Sequence, residues 1–260
     1  MTRPKNIILL TATIRPMADN FSTARCDPGV RRRDYEQALR FYLGLGTGVV
    51  DGILFLENSD ADLSSLEAIA KTDNPDKIPA RFIQALSDCP PDYGKGHAEL
   101  TLMDKGYAEA IKGQPETTRY WKVTGRLIIQ NIAALIRTAP PAFQLYIDLR
   151  LVPRALRGFG TDKWADTRII GFTPEGYRKH ILDKRQIVGT PDHVFVVEEA
   201  LFPVYLDAWK AGAAIEPRFA VQPVMIGVGA DSNKNYNDLP SRLKNSVRRM
   251  TRRYAPSLWL

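Results

Sequence analysis

The segment Gly94-Lys95-Gly96-His97-Ala98-Glu99 opens a helical run that gives way to Tyr120-Trp121-Lys122-Val123-Thr124-Gly125-Arg126-Leu127. In the first part Leu100, Met103, Tyr107 and Ile111 recur at helical spacing, so a helix over 97–111 has one apolar face. In the second, Tyr120–Thr124 has the aromatic and β-branched composition of a strand. A helix feeding a buried strand is the unit from which parallel sheets are built. Two glycines at a helix start let the backbone approach an anion while the first free N–H groups point outward. Lys95 adds a mobile positive charge there. Alternation along an extended chain puts Lys122, Thr124 and Arg126 on one face. Gly94, Lys95 and Gly96 beside a strand end presenting Lys, Thr and Arg suit a diphosphate.

The same rhythm continues outward. Asn6–Ile14 (NIILLTATI) reads as a buried first strand. Its polar exit, Thr11, Thr13 and Arg15, falls where an open α/β sheet places ligand contacts. Residues 17–30 read as a loop, 31–45 as an amphipathic helix ended by Gly44 and Gly46, and 51–57 (DGILFLE) as a second strand. A helix over 62–70 and a third strand over 81–86 follow, and Pro90-Pro91 breaks the chain. After the fourth strand we expect a helix over 127–135 and extended segments over 143–152, 167–172 and 218–227. A helix over 174–182 has Pro174 at its first position, and 194–208 runs from strand into helix. Strands alternating with helices predict one α/β domain over 1–240, a mostly parallel sheet flanked by helices, with a basic tail over 241–260.

The chain has 260 residues, a formal charge of +7 and a sequence pI near 9.4. That balance favours an anionic partner without choosing among nucleotide, nucleic acid and lipid headgroup. The two cysteines, Cys26 and Cys89, lack metal-ligand spacing, which fits a reducing compartment. The apolar run near the N-terminus is too short for a signal peptide or a membrane span, so the expected location is cytoplasmic. GxxxxGK[ST] is absent, which argues against an ATPase. No GxGxxG follows the first strand, which argues against dinucleotide binding.

The first strand ending in small polar residues, the DGILFLENS strand, the Gly-Lys-Gly-x-Ala-Glu helix and the segment YWKVTGR-x-x-x-x-N together resemble bacterial surface-polysaccharide glycosyltransferases of the GT-A type. The resemblance runs over about residues 5–230 in order of elements, and its motifs lie in the central segment. It implies a GT-A-like fold and a nucleotide-sugar donor, with a UDP-sugar favoured. It also implies a saccharide acceptor, commonly lipid-linked. Such enzymes end the fourth strand in Asp-x-Asp, which holds a divalent metal against the donor diphosphate. Here Thr124-Gly125-Arg126 stands in that place, which leaves metal dependence open and no metal ligand assigned. A departing diphosphate needs a cation to meet it. Arg126, Lys122 and Lys95 are candidates to supply that charge. Lys122 and Arg126 have a plainer alternative, a solvated strand edge.

Donor contacts are accordingly expected from Thr11, Thr13, Arg15, Asn58, Gly94, Lys95, Gly96, Lys122, Thr124 and Arg126. Asp148 of Asp148-Leu149-Arg150 is a further candidate, its plainer alternative a local ion pair. Asp60-Ala61-Asp62 follows the second strand, and Asp62 reads more simply as a helix cap. Glu198-Glu199, after the apolar run 194–197, supplies the catalytic candidates. An inverting transferase needs a carboxylate to take the acceptor's hydroxyl proton, and the resemblance places such a base on a late acidic pair. The pair also suits a helix N-terminus through the helix dipole, and either glutamate could face the site. His97, His180 and His193 form no metal-binding pattern.

In the tail, Arg242, Lys244, Arg248, Arg249, Arg252 and Arg253 surround Leu243, Val247, Met250 and Tyr254 at helical spacing, and Leu258-Trp259-Leu260 follows. Such a helix suits an anionic membrane surface at the inner face of the cell membrane; a nucleic-acid arm and a helix packed on the domain are its alternatives. Lipid-linked acceptors favour the membrane, and no nucleic acid is expected. Two function classes therefore stand, a nucleotide-sugar-dependent glycosyltransferase and a non-catalytic basic protein binding nucleic acid or acidic lipid; a narrower rival, a nucleotidyltransferase on a similar sheet, lacks its usual glycine-rich loop after the first strand.

Overall fold

The computed structural model describes residues 3–16, 24–90, 93–153, 155–156, 163–190, 193–194 and 196–260. The first half alternates strictly: β1 (Asn6–Ala12), α1 (Pro28–Leu43), β2 (Gly52–Glu57), α2 (Ser64–Thr72), β3 (Ala80–Gln84), α3 (Gly94–Gly106) with a π-helical turn at Tyr107–Ile111, then β4 (Arg119–Thr124). The second half is made of shorter pieces. They are β5 (Ile128–Ile129), α4 (Ile132–Thr138), β6 (Leu145–Tyr146), β7 (Leu149–Leu151), β8 (Lys163–Ala165), β9 (Ile169–Phe172) and α5 (Pro174–Gly176), which runs into a π-helical turn at Tyr177–Ile181. After them come β10 (Gly189–Thr190), β11 (His193–Val194), α6 (Val197–Lys210), β12 (Ile215–Glu216), β13 (Met225–Ile226) and α7 (Leu239–Tyr254).

Seven strands form the central sheet in the order β12-β6-β9-β4-β1-β2-β3, and β9 alone runs antiparallel to its neighbours. β1 lies inside the sheet between β4 and β2, with Leu10 opposite both Phe55 and Val123. It is covered on both faces, which is why its sequence is nearly all apolar. Ile8 and Leu10 point into a core with Tyr35, Leu39, Phe55 and Trp121. Leu9 points the other way, into a core with Leu56, Met103, Tyr120 and Tyr177. This is the expected mostly parallel α/β sheet flanked by helices, with a C-terminal helix.

Several boundaries differ from expectation for local reasons. α1 starts earlier, at Pro28, because the Asp27 side chain caps it by accepting from Val30 N at 2.6 Å; residues 17–23 of the expected loop lie outside the described residues. The helix expected over 127–135 is delayed. Ile129 N donates to the buried Tyr42 hydroxyl at 2.9 Å and Gln130 N to Val224 O at 2.8 Å, which hold the chain extended as β5 until Asn131. The strand expected over 143–152 divides at Asp148 into β6, in the main sheet, and β7, paired with β8. Within 218–227 only Met225–Ile226 pairs, with β5. Of the Pro90-Pro91 break, Pro91 lies outside the described residues, as does Phe195 ahead of α6.

Residues 241–260 lie against the domain. Arg252 reaches Asp148, Gln222 and the Phe219 carbonyl, Leu151 N donates to Trp259 O at 2.8 Å, and Leu260 is 2% exposed. Among the described residues no helix is long and apolar enough to cross a membrane.

Candidate active site

A cleft of about 940 Å³ opens at the carboxyl ends of the parallel strands, where open α/β sheets bind their ligands. β1 contributes Thr11 and Ala12, its exit Thr13 and Arg15, and the exit of β2 Asn58 and Ser59. Gly94, Lys95, Gly96 and Glu99 of α3 form one wall, and Thr124 and Arg126 lie at the end of β4. The far wall is Arg150, Trp164, Thr167, Arg168, the start of α6 with Glu198 and Glu199, and Ser241, Lys244, Asn245 and Arg248 of α7. Among the described residues, nine basic side chains line the cleft against four acidic ones, so its field favours an anion.

The strand exits are fixed by hydrogen bonds. Thr13 Oγ1 donates to Asn58 Oδ1 at 2.7 Å, Arg15 N donates to Ser59 Oγ at 2.8 Å, and buried Glu57 accepts from Ile14 N at 3.0 Å. Gly125 turns the chain against β1, where a Cβ would meet the Thr11 carbonyl oxygen at 2.8 Å. That turn delivers Arg126 to the cleft. Arg126 donates from one terminal nitrogen to Val228 O at 2.7 Å, while its buried Nε has no hydrogen-bond partner. A guanidinium 9% exposed with an unused donor at a cleft is a place for an oxyanion.

Lys122 is placed otherwise. Alternation does put it beside Thr124, with Nζ 3.3 Å from Thr124 Oγ1. It is wholly buried, however, and lies behind the cleft wall, donating to Thr167 O at 2.6 Å and pairing with Glu99 at 2.8 Å. Its work is to hold Glu99, which also accepts from Thr11 Oγ1 at 2.7 Å. Burial alone would raise the Glu99 carboxyl, but Lys122 outweighs it and holds the group below the usual carboxylate range. The α3 glycines also differ from expectation. They form the helix's first turn, and Gly96 serves close packing: a Cβ there would come 2.8 Å from Val197 Cβ of α6. Lys95 is exposed at the cleft and has no ion-pair partner among the described residues.

The acidic pair opens α6, and its two members part company. Glu198 is half-buried and accepts from Thr167 Oγ1 at 3.1 Å, whereas Glu199 is exposed at the rim. Burial pushes the Glu198 carboxyl above the usual range, and the nearby charges of Asp166 and Glu99 push the same way. Glu99 and Glu198, both lining the cleft, are thus driven in opposite directions by their surroundings.

Asp148 does not line the cleft. It is fully buried between Arg150, at 3.2 Å, and Arg252. Asp166, also fully buried, holds Arg150 and Arg168. Two Asp-x-Arg segments, 148–150 and 166–168, thus interlock behind the cleft and push Arg150 and Arg168 into it. The sequence reading noted the first and missed the second, together with Thr167 and the role of Glu99. The repeated spacing was the available signal.

In the GT-A-type enzymes that the sequence resembles, a divalent metal commonly holds the donor diphosphate. Among the described residues no three His, Cys, Asp or Glu side chains converge as metal ligands. Glu99 is committed to Lys122 and Thr11, and the surroundings are guanidinium-rich. Asp60 and Asp62 lie off the cleft, with Asp62 accepting from Ser64 N at 3.0 Å. The described residues at the cleft do not fit a divalent cation.

No protein-family model matches this chain, and no curated protein matches it in sequence. Solved structures do resemble it. The mannosyltransferase PcManGT from Pyrobaculum calidifontis, solved with GDP-Man and Mn2+, is 10% identical with a TM-score of 0.51, over 98% of this chain and 64% of that one. The inositol-1-phosphate CTP transferase from T. maritima is 9% identical with a TM-score of 0.49, over 96% of each chain. The galactosyltransferase LgtC, solved with donor and acceptor sugar analogs, is 10% identical with a TM-score of 0.48, over 80% of this chain and 72% of that one. Structural neighbours thus include both glycosyltransferases and nucleotidyltransferases, and at these identities the likeness is one of fold.

Proposed function

We propose that this protein is a nucleotide-sugar-dependent glycosyltransferase, acting by inversion in bacterial surface-polysaccharide synthesis. The observation that carries the reading is Glu198, a half-buried carboxylate with a raised pKa facing a cleft lined by basic residues at the strand ends. In the reaction, the acceptor hydroxyl oxygen forms the new bond to the sugar's anomeric carbon and its proton passes to Glu198. The anomeric carbon–oxygen bond breaks, its electron pair leaving on the diphosphate. Arg126 and Lys95 meet that charge, while Thr11, Thr13, Arg15, Asn58 and Thr124 shape the donor pocket. The fold is one on which PcManGT carries GDP-Man; a UDP-sugar is the donor favoured here.

The acceptor on this reading is a lipid-linked saccharide, which places the enzyme at the inner membrane face. α7 supports that placement. Leu239, Leu243, Met250 and Tyr254 are all exposed, flanked by exposed Arg242, Arg249 and Arg253, while Lys244 and Arg248 turn to the cleft. An outward apolar stripe edged with arginine is the surface an anionic membrane binds.

A thermal-shift panel of nucleoside diphosphates tests the donor, and a transfer assay on Glu198→Gln tests the base. Stabilisation by UDP or GDP, with turnover lost in the variant, is the expected result. A protein that no nucleotide stabilises, yet which sediments with anionic vesicles, would be the non-catalytic binding protein instead.

A further inference from the structure

We propose that the departing diphosphate is received by a guanidinium cluster, Arg150, Arg168 and Arg248, that takes the place a divalent cation holds in metal-dependent transferases. The inference rests on the transferase reading and assigns its leaving-group site.

The cluster is built from behind. Asp148 and Asp166, both fully buried, hold three guanidiniums between them, Arg150, Arg168 and Arg252. The carboxylates therefore orient the arginines without neutralising them all. Arg150 is 7% exposed on its side chain and Arg168 22%, so both are held in fixed directions at the cleft. Arg168 is steadied further by the Tyr236 ring, 4.9 Å away. α7 brings Arg248 to the same place. Burial, and then the like charge of Arg150, pull the Arg248 guanidinium down to about 9. It stays charged at neutral pH.

The cluster lies where charge develops. Arg168 O accepts from Thr124 N at 3.0 Å, so the group borders the end of β4, beside Arg126 with its unused buried Nε. Thr167, next to Arg168, donates to Glu198. When the anomeric carbon–oxygen bond breaks, the electron pair adds one negative charge to the terminal phosphate. Fixed guanidiniums stabilise that charge with little reorganisation, and their forked donors match phosphate oxygens two at a time. Crowded cations also gain most from an anion, because it relieves their mutual repulsion.

The test is calorimetry of the full chain with UDP, GDP and inorganic pyrophosphate, first in EDTA and then with Mn2+. Binding in EDTA, changed by less than about twofold on adding Mn2+, is expected. Arg248→Gln should weaken it by about tenfold or more. Arg168→Lys keeps the charge at Asp166 and loses the fork, so it should weaken diphosphate binding while circular dichroism stays unchanged. Nucleoside diphosphates that bind only with Mn2+ would overturn the cluster and leave the transferase reading standing. Pyrophosphate bound in EDTA with neither nucleotide bound would keep the oxyanion site and overturn the donor. Wild-type affinity in both arginine variants would also overturn the cluster.

Discussion

Along the β1–β4 side of the cleft, side chains reach their positions because long strands end there; along the β7–α7 side they do so because buried carboxylates hold them. Thr11, Thr13 and Asn58 sit at the ends of strands paired over six consecutive registers, and neutral hydrogen bonds finish the job. Arg150 lies within a strand of three residues and Arg168 just before one of four, too short to fix a side chain alone. Periodic packing and ionic scaffolding solve the same positioning problem, with different vulnerabilities.

The comparison breaks most sharply at Asp166. Asp166→Asn leaves Arg150 and Arg168 without their shared counter-charge, and breaking a buried pair from one side costs about 3–5 kcal/mol. Thr13→Ala on the other side removes one hydrogen bond and should cost about 1 kcal/mol. Urea denaturation measures both; equal losses would erase the distinction. Acid probes the same asymmetry. Asp148 and Asp166 are held below the usual carboxylate range, each against the pull of burial, by Arg252 and Arg168 foremost. Their stabilisation is full above about pH 4 and is lost as pH falls through the depressed folded values. Hydrogen exchange at falling pH should open β7, β8 and α7 before β1 and β2.

Next in size is Glu198→Gln, which should lower turnover about a hundredfold or more with donor binding intact, while Glu199→Gln stays near wild type. Because the Glu198 carboxyl is raised, its basic form is lost earlier as pH falls. The acid limb of kcat/KM should therefore lie above the ordinary glutamate value of about 4.3. A limb at that value, or equal losses in the two variants, would remove Glu198 from its role. Arg126→Ala should weaken nucleoside-diphosphate binding by about tenfold with the fold preserved, since bonds to charged groups are worth about 1.5–3 kcal/mol; calorimetry with unchanged affinity would dismiss it. Smallest is the outer face of α7. Arg249→Gln should cost about 1 kcal/mol of affinity for anionic vesicles at low salt, and less as salt rises. Unchanged sedimentation in an Arg242, Arg249 and Arg253 triple glutamine variant would dismiss the membrane surface.

What could be read from the sequence follows the same division. The strands at 6–12 and 52–57 announced themselves by apolar runs, because burial on both faces demands them, and the strand at 119–124 by its aromatic and β-branched residues. The alternation of Lys122 and Thr124 was legible too, but its meaning was not. Whether a lysine on the right face meets solvent or a glutamate depends on which helix crosses it, and Glu99 lies 23 residues earlier in the chain. The pairing of Asp148 with Arg252 spans 104 residues and leaves no local trace. Glu198 and Glu199 were indistinguishable on paper, since adjacent residues on a helix differ only in the neighbours the fold supplies. The tail's stripe was visible, whereas its orientation, apolar groups outward with Lys244, Arg248 and Arg252 turned inward, reverses what amphipathicity alone suggests.

That reversal bears on how the protein tolerates change. α7 has no buried residue by exposure and would pass for an ordinary surface helix, permissive of substitution. Yet one side of it walls the cleft, Arg252 ties it to Asp148, and the other side is proposed for the membrane. Few of its positions are idle. A saturation-mutagenesis profile of 239–254 should resemble that of an interior helix, with sensitivity on both sides and relief at few positions. Family variation along this helix would then be narrower than its exposure suggests.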